Sequence, residues 1–268
     1  MAILDNMQEF KAETSPKPIY ENESFILMQK PHGLATVPLK KQADENRPKE
    51  TLLWYAASIA PQILEVHGKN PWEGGAIHRL DTATSGIVMF AKTQDFYDYM
   101  QKAQQSNLFE KYYTAKTIEN DTLKGIDINE KDATITLTSY FRPFGPKAKQ
   151  VRPTLDPKKA QPLQEHTTFA KRNGNAFLCT ITKGFRHQIR AHLAWIGHPI
   201  EGDQLYCKGE VQHPVLHMQL TCVGIAFRNQ QGCIQTFLDK GFSIEDFPHT
   251  PWFAAQFAKT GGNGIIEL

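Results

Sequence analysis

Residues 74–93, GGAIHRLDTATSGIVMFAKT, decide how this chain must be read. The stretch changes character at Gly86. After it, GIVMFA is an almost wholly apolar run, too short for a helix, and it reads as a strand buried on both faces. Before it, a glycine pair, Arg79 and Asp81 around Leu80, and the turn residues Thr84-Ser85-Gly86 read as a loop. Asp81 is thus delivered to the end of a buried strand. An aspartate in such a loop most often accepts backbone hydrogen bonds or caps a turn. Arg79, two residues away on the same side of an extended loop, is placed to pair with it as a salt bridge. Taken alone, the loop is a brace.

Working outward, Thr93 is placed to cap QDFYDYMQKAQQS, in which Phe96, Met100 and Ala103 share one helical face. Upstream, PIYENESFILMQKPHGLATVP reads as two short strands around an ENES turn, with Pro31 and Gly33 marking a loop. PLKKQADENRPKE is a polar loop, and KETLLWYAASIAPQILEVHG is a helix with Leu52, Ala56 and Ile59 on one stripe and a second turn beginning at Pro61. Downstream, FEKYYTAKT, ATITLTSYF, AFLCTITKG, QLTCVGIAFR and CIQTF are β-branched or aromatic runs separated by breakers. Alternation in KYYTAK puts Lys111 and Tyr113 on one face and Tyr112 on the other, in the core. FRHQIRAHLAWIGHP is a helix with Ile189, Leu193 and Ile196 on its apolar stripe. His187, Arg190 and Ala194 lie roughly opposite, so Arg190 is expected to reach away from the core. The fold class is α+β and strand-rich. No repeat, low-complexity tract or clean linker divides it.

At 268 residues and 40% apolar content the chain can bury a sizeable core. It has no apolar run of membrane-spanning length, and its N-terminus lacks the basic and apolar regions of a signal peptide, so a cytoplasmic protein without membrane contact is expected. Four cysteines, Cys179, Cys207, Cys222 and Cys233, form no CxxC pair and read as reduced thiols. His187, His192 and His198 lack a carboxylate at matching spacing, and no metal is expected. A net charge of +2 is too small to attract nucleic acid unless it is concentrated. RPFGPKAKQVRPTLDPKK, residues 142–159, concentrates it: Arg142, Lys147, Lys149, Arg152, Lys158 and Lys159 stand against Asp156 alone. The segment reads either as solvated surface or as a flexible basic arm that tracks phosphates, with Phe141 and Phe144 beside it to stack on bases. Sequence spacing does not bring residues 81, 113 and 190 together.

HRLDTATSGIVMFAKT (78–93) closely resembles the HRLDxxTSGxxxxAKT hallmark of the RluA-type pseudouridine synthase family. In order along the chain, KPHG, EKYYTAK, GFRHQIRAHLAWIGHPIEGDQLY (184–206) and VLHMQLTCVGIAF resemble the family's other motifs, so that the likeness spans most of residues 18–240. The resemblance implies a mixed, largely antiparallel sheet in two halves, with flanking helices and a central cleft. It implies residues 18–268 as the catalytic domain, after a 1–17 extension too short for the N-terminal RNA-binding module that many members carry.

The implied activity is isomerisation of specific uridines in rRNA or tRNA to pseudouridine, by a cytoplasmic, monomeric enzyme without a cofactor. By the same resemblance, Asp81 matches the catalytic carboxylate, Tyr113 the tyrosine against the target base, and Arg190 the arginine that pairs with the aspartate. Arg79 matches the residue that fills the gap left by the flipped base. His78, Arg186 and His187 are placed with them at the substrate. Here the chain departs from the family: where the pattern has Gly-Arg-Thr-His, it has Gly184-Phe185-Arg186-His187, which displaces the arginine by one position. The segment 142–159 becomes the expected RNA-binding patch. The alternatives are a non-catalytic RNA-binding protein on the same scaffold and, more remotely, a glycosidase pairing Glu73 with Asp81.

Overall fold

The computed structural model of the chain describes residues 15–39, 50–118, 134–207, 215–251, 253–255 and 265–268. The first 14 residues of the expected extension and positions 40–49 of the polar loop lie outside them. The chain forms two compact units that interleave along the sequence: 1–109 with 222–242 and 264–268, and 110–221 with 243–263.

In the first unit, β1 (Lys17–Glu21), β2 (Phe25–Lys30) and β3 (Ser85–Ala91) are antiparallel neighbours. β9 (Leu220–Arg228), which belongs to this unit from Cys222 onward, bonds to β3 and runs antiparallel to β10 (Ile234–Leu238); β11 (Ile265–Glu267) is parallel to β10. β3 is buried along its whole length, as its unbroken apolar run requires. Phe25 anchors the core, with ring centroids 5.0 Å from Phe96, 5.7 Å from Phe237 and 5.9 Å from Phe227. Gly86 has φ of +114°, and a Cβ there would sit 2.1 Å from the carbonyl oxygen of Cys222. Only glycine lets the two backbones approach so closely. The helix α2 (Gln94–Gln105) starts at its expected cap, the Thr93 hydroxyl accepting from the Phe96 amide at 3.3 Å, and α1 (Leu52–Ile59) starts at a second threonine cap, Thr51, which accepts from the Trp54 amide at 3.4 Å.

The second unit is an antiparallel sheet in the order β4 (Phe109–Lys116, this unit from Glu110), β8 (Ala176–Ile181), β7 (His166–Asn173), β5 (Thr134–Phe144), β6 (Gln150–Thr154). The helix α3 (Gln188–Trp195) packs on it. Two of these strands carry no sequence signal. β7 turns His166, Thr168 and Ala170 inward, so its alternation is not one of apolar against polar. β6 lies inside the basic segment, which corrects the reading of 142–159 as a flexible arm. Most of it is a hairpin with Tyr140 opposite Thr154 and Phe144 opposite Gln150, turned by Gly145 at φ +75°. Phe141 and Val151 are buried against Ala191 of α3 and root the hairpin; four prolines and seven charged residues in the segment hid that two-residue signal.

Candidate functional site

Each unit carries part of the predicted residue set. In the first, the loop between Ala76 and β3 is held chiefly through its backbone. The Thr84 amide donates to the Asp81 carbonyl at 3.0 Å, closing the turn under the aspartate. The Thr36 hydroxyl donates to the Leu80 carbonyl at 2.9 Å and accepts from the Leu80 amide at 3.1 Å. The KPHG segment grips the other side: the Gly33 amide donates to Thr82 O at 2.9 Å, and His32 Nδ1 bonds Ala83 O at 2.7 Å. Lys30 lies beneath, fully buried at the end of β2, and its ammonium donates to the carbonyls of Leu34 at 2.7 Å, Pro31 at 3.0 Å and Thr82 at 3.2 Å. Burial pulls the Lys30 ammonium down to about 7, and the Asp81 carboxylate pulls the other way. Asp81, half-buried, therefore sits on a turn fixed through its backbone, beside the buried Lys30.

His78 is buried, and its Nε2 accepts from the Met89 amide at 3.2 Å, so the proton is on Nδ1. It braces the loop against β3 and packs on Phe109 with centroids 5.5 Å apart. Arg79 is the exposed member: its side chain is 59% accessible, and Nη1 donates to Glu73 Oε1 at 2.6 Å. This corrects the expected pairing of Arg79 with Asp81. It also commits Glu73 to an arginine, which removes the acid that the glycosidase reading needs.

In the second unit, Tyr112 lies in the core as expected, but β4 is buried on both faces. Tyr112 is fully buried with its hydroxyl donating to Glu110 at 2.8 Å, and the Lys111 ammonium bonds the Thr182 carbonyl. Glu110 also accepts from the Thr250 amide at 2.8 Å and from His249 Nδ1 at 3.0 Å, which fixes the base of the strand that carries Tyr113. Tyr113 is itself buried and pairs with Cys179 on β8.

Arg190 corrects a second expectation. It does not reach away from the core but is 5% exposed, because its Nε and Nη2 donate to Asp203 Oδ2 and Oδ1 at 2.7 and 2.9 Å. A bidentate carboxylate makes burial of a guanidinium tolerable. His187, read as part of the helical face, instead precedes α3 in the left-handed region at φ +56°, with Nδ1 3.2 Å from the Tyr206 hydroxyl. Arg186 donates from Nη2 to Ala148 O at 2.6 Å and Gln150 O at 3.2 Å, so the displaced arginine ties the approach to α3 to the hairpin. His192 is enclosed by Ser139 at 2.9 Å and Thr168 at 2.8 Å, and burial lowers it to about 3. It is a neutral core residue, and among the described residues no group of three metal-ligating side chains converges.

The patch residues line the hairpin. Arg152 lies over the Phe144 ring with its guanidinium carbon 3.3 Å from the centroid, and Arg142 lies at 5.7 Å. Lys147 and Lys149 are exposed at the turn. Lys158 and Lys159 stand beyond β6, with Lys159 3.4 Å from Asp156. Sequence reasoning missed Lys30, Asp203 and Tyr206 as site residues, although all three stand inside the quoted motifs. The signal was there: a lysine ending an apolar strand, and an acid following a glycine that tolerates no side chain, since a Cβ at Gly202 would meet His217 O at 2.6 Å.

A family model described as RNA pseudouridylate synthase matches residues 24–195, well over half of the chain. The chain belongs to the RNA pseudouridylate synthase family. As a member it is an isomerase that converts uridine to pseudouridine in RNA. It is 30% identical over 214 residues to the dual-specificity RNA pseudouridine synthase RluA of Vibrio cholerae, covering 78% of this chain and 76% of that one. It is 28% identical over 214 residues to a ribosomal large subunit pseudouridine synthase D of Yersinia pestis, covering 77% of this chain and 58% of that one. The solved structure of human RNA pseudouridylate synthase domain containing 1 superposes with a TM-score of 0.59 at 16% identity, covering 92% of this chain and 95% of that one. This pseudouridylate synthase therefore has the family's α+β, largely antiparallel architecture.

Proposed function

We propose that Asp81 is the catalytic carboxylate and that the substrate uridine lies in ribosomal or transfer RNA. The observation that carries the assignment is the Asp81 turn itself. Four residues from another segment (Lys30, His32, Gly33 and Thr36), with Thr84 of the turn itself, hold the carbonyls of residues 80–83 and the Leu80 amide, and one of the four is a fully buried lysine. A loop that needed its aspartate only as a brace would not need this scaffolding.

Isomerisation breaks the bond from C1′ to N1, turns the uracil and forms a bond from C1′ to C5. The proton on C5 passes to solvent and N1 gains one, so the atoms balance without an outside reactant. A carboxylate serves by attacking C1′ or by taking the neighbouring sugar proton to give a glycal; one aspartate suffices for either. Tyr113 is assigned to the target base and Arg190 to the ionised carboxylate, as the motifs imply. Arg79, exposed on its loop, is assigned to the gap that a flipped base leaves, offsetting part of an unstacking cost of a few kcal/mol. His78, Arg186 and His187 act by supporting these groups, and the basic hairpin holds phosphates. The enzyme is assigned to the cytoplasm as a monomer; among the described residues no helix is long and apolar enough to cross a membrane.

The test compares Asp81→Asn with the wild type on RNA labelled with tritium at C5 of uridine, isolated from cells that lack the protein. Tritium release falls by on the order of 10³-fold or more, while RNA binding stays within a few-fold. Release at the wild-type rate would dismiss Asp81. Pseudouridine maps of cellular RNA with and without the protein then identify the uridine.

A further inference from the structure

The turn after α3 carries two residues that no catalytic assignment uses, three positions apart, and each holds a different functional element. Asp203 is 1% exposed and accepts four hydrogen bonds: two from Arg190, one from the Leu205 amide at 2.9 Å and one from the Tyr206 amide at 3.2 Å. A buried carboxylate so completely satisfied fixes its partner, and with two donors engaged on one edge the Arg190 guanidinium has a single orientation. The turn itself is rigid: the Asp203 amide donates to Ile200 O at 3.1 Å and the Cys207 amide to Asp203 O at 2.9 Å.

Tyr206 faces the other way along the same turn. Its ring lies 5.3 Å from the Arg190 guanidinium carbon. Its hydroxyl accepts from the Val151 amide at 2.9 Å and donates to the Val151 carbonyl at 3.0 Å, and it accepts from His187 Nδ1 at 3.2 Å. β6 is the outermost strand of its sheet, so the hydroxyl takes the place that a further strand would occupy on Val151. Gln150 adds a bond from Nε2 to Leu205 O at 2.6 Å.

We propose that Asp203 and Tyr206 are a positioning pair which ties Arg190 to the basic hairpin, so that RNA held on the hairpin is held in register with that arginine. The proposal rests on the role given above to Arg190. Asp203 acts through Arg190, on the chemical step. Tyr206 acts through β6, on the grip. The two side chains therefore separate in kinetics although they share one turn, which a purely structural role would not produce.

The experiment measures kcat and KM by tritium release from C5-labelled total RNA of cells lacking the protein, for the wild type, Asp203→Asn, Asp203→Glu, Tyr206→Phe and Arg190→Lys, with thermal melts of each. Asp203→Asn is expected to lower kcat by on the order of tenfold or more with KM within about threefold, and Asp203→Glu to recover part of the loss. Tyr206→Phe is expected to raise KM about fivefold with kcat within about twofold. Should Asp203→Asn not fold, Asp203→Glu and Tyr206→Phe carry the split. Changes in kcat and KM by the same factor in both positions, or no change in either, overturn the proposal. Wild-type kcat in Arg190→Lys overturns the role of Arg190 and this proposal with it. A lowered kcat there beside wild-type kinetics at 203 and 206 overturns this proposal alone.

Discussion

The Asp81 loop of the first unit and the Arg190 region of the second hold their functional residues by opposite means. Around Asp81 the bonds run to main-chain atoms: carbonyls of residues 80–83 are taken by Lys30, His32, Gly33, Thr36 and Thr84. Around Arg190 the functional side chain is itself held by another side chain, that of Asp203, and His187 donates to the Tyr206 hydroxyl; only the supporting turn and hairpin are fastened through main chain. A loop fixed by its backbone does not depend on its functional side chain for its shape, so replacing that side chain reports on chemistry. A cluster fixed by its side chains mixes two losses, since removing any member unseats the others.

The sharpest attempt to break this contrast is Arg190→Ala. It leaves the Asp203 carboxylate buried without its counter-charge, and we expect about 3–5 kcal/mol of lost stability in urea unfolding. A loss under about 1 kcal/mol would mean that the cluster is not held by its charges. In the first unit the sensitive position should be a glycine rather than a charge. Gly86→Ala forces a methyl against Cys222 O from a positive φ, and about 3 kcal/mol is expected in the same measurement. A melt like that of the wild type would show the approach of β3 to β9 to be loose.

Lys30 sharpens the rule, an ionisable side chain acting on backbone from a fully buried position. Its folded value near 7 lies below its ordinary 10.5, so between these values the folded chain binds fewer protons than the unfolded chain. Stability contributed at this site therefore rises as pH climbs from 7 toward 10.5, by on the order of a few kcal/mol in all. Lys30→Met should remove that slope, and parallel unfolding free energies for variant and wild type between pH 7 and 10 would refute it. The smallest effect on stability is expected at the hairpin surface. Neutralising Lys147, Lys149 and Arg152 together should cost less than about 1 kcal/mol yet flatten the dependence of log affinity for RNA on log salt by about 2 to 3. An unchanged slope would return the hairpin to solvated surface.

Most of the first unit was legible in the sequence, because its strands are apolar runs and its helix starts are threonine caps. Asp81 was located, but its loop read as ambiguous, since bonds to carbonyls leave no trace in residue types. The second unit was less legible for two physical reasons. β7 faces the core with His166 and Thr168, and β6 hides among prolines and lysines, so neither shows the alternation that marks a strand. The stripe on α3 was correctly apolar, yet nothing in its spacing showed that Arg190 would be buried, because the partner that permits this lies 13 residues further on.

Residues 222–242 complete the first unit only after residues 110–221 have been made. A nascent chain therefore carries the finished Asp81 loop, for on the order of ten seconds at ordinary elongation rates, with the β3 edge still waiting for β9. An edge so apolar is a template for aggregation and a handle for chaperones and proteases. A chain cut short anywhere in that interval lacks β9 and leaves the apolar edge of β3 unpaired.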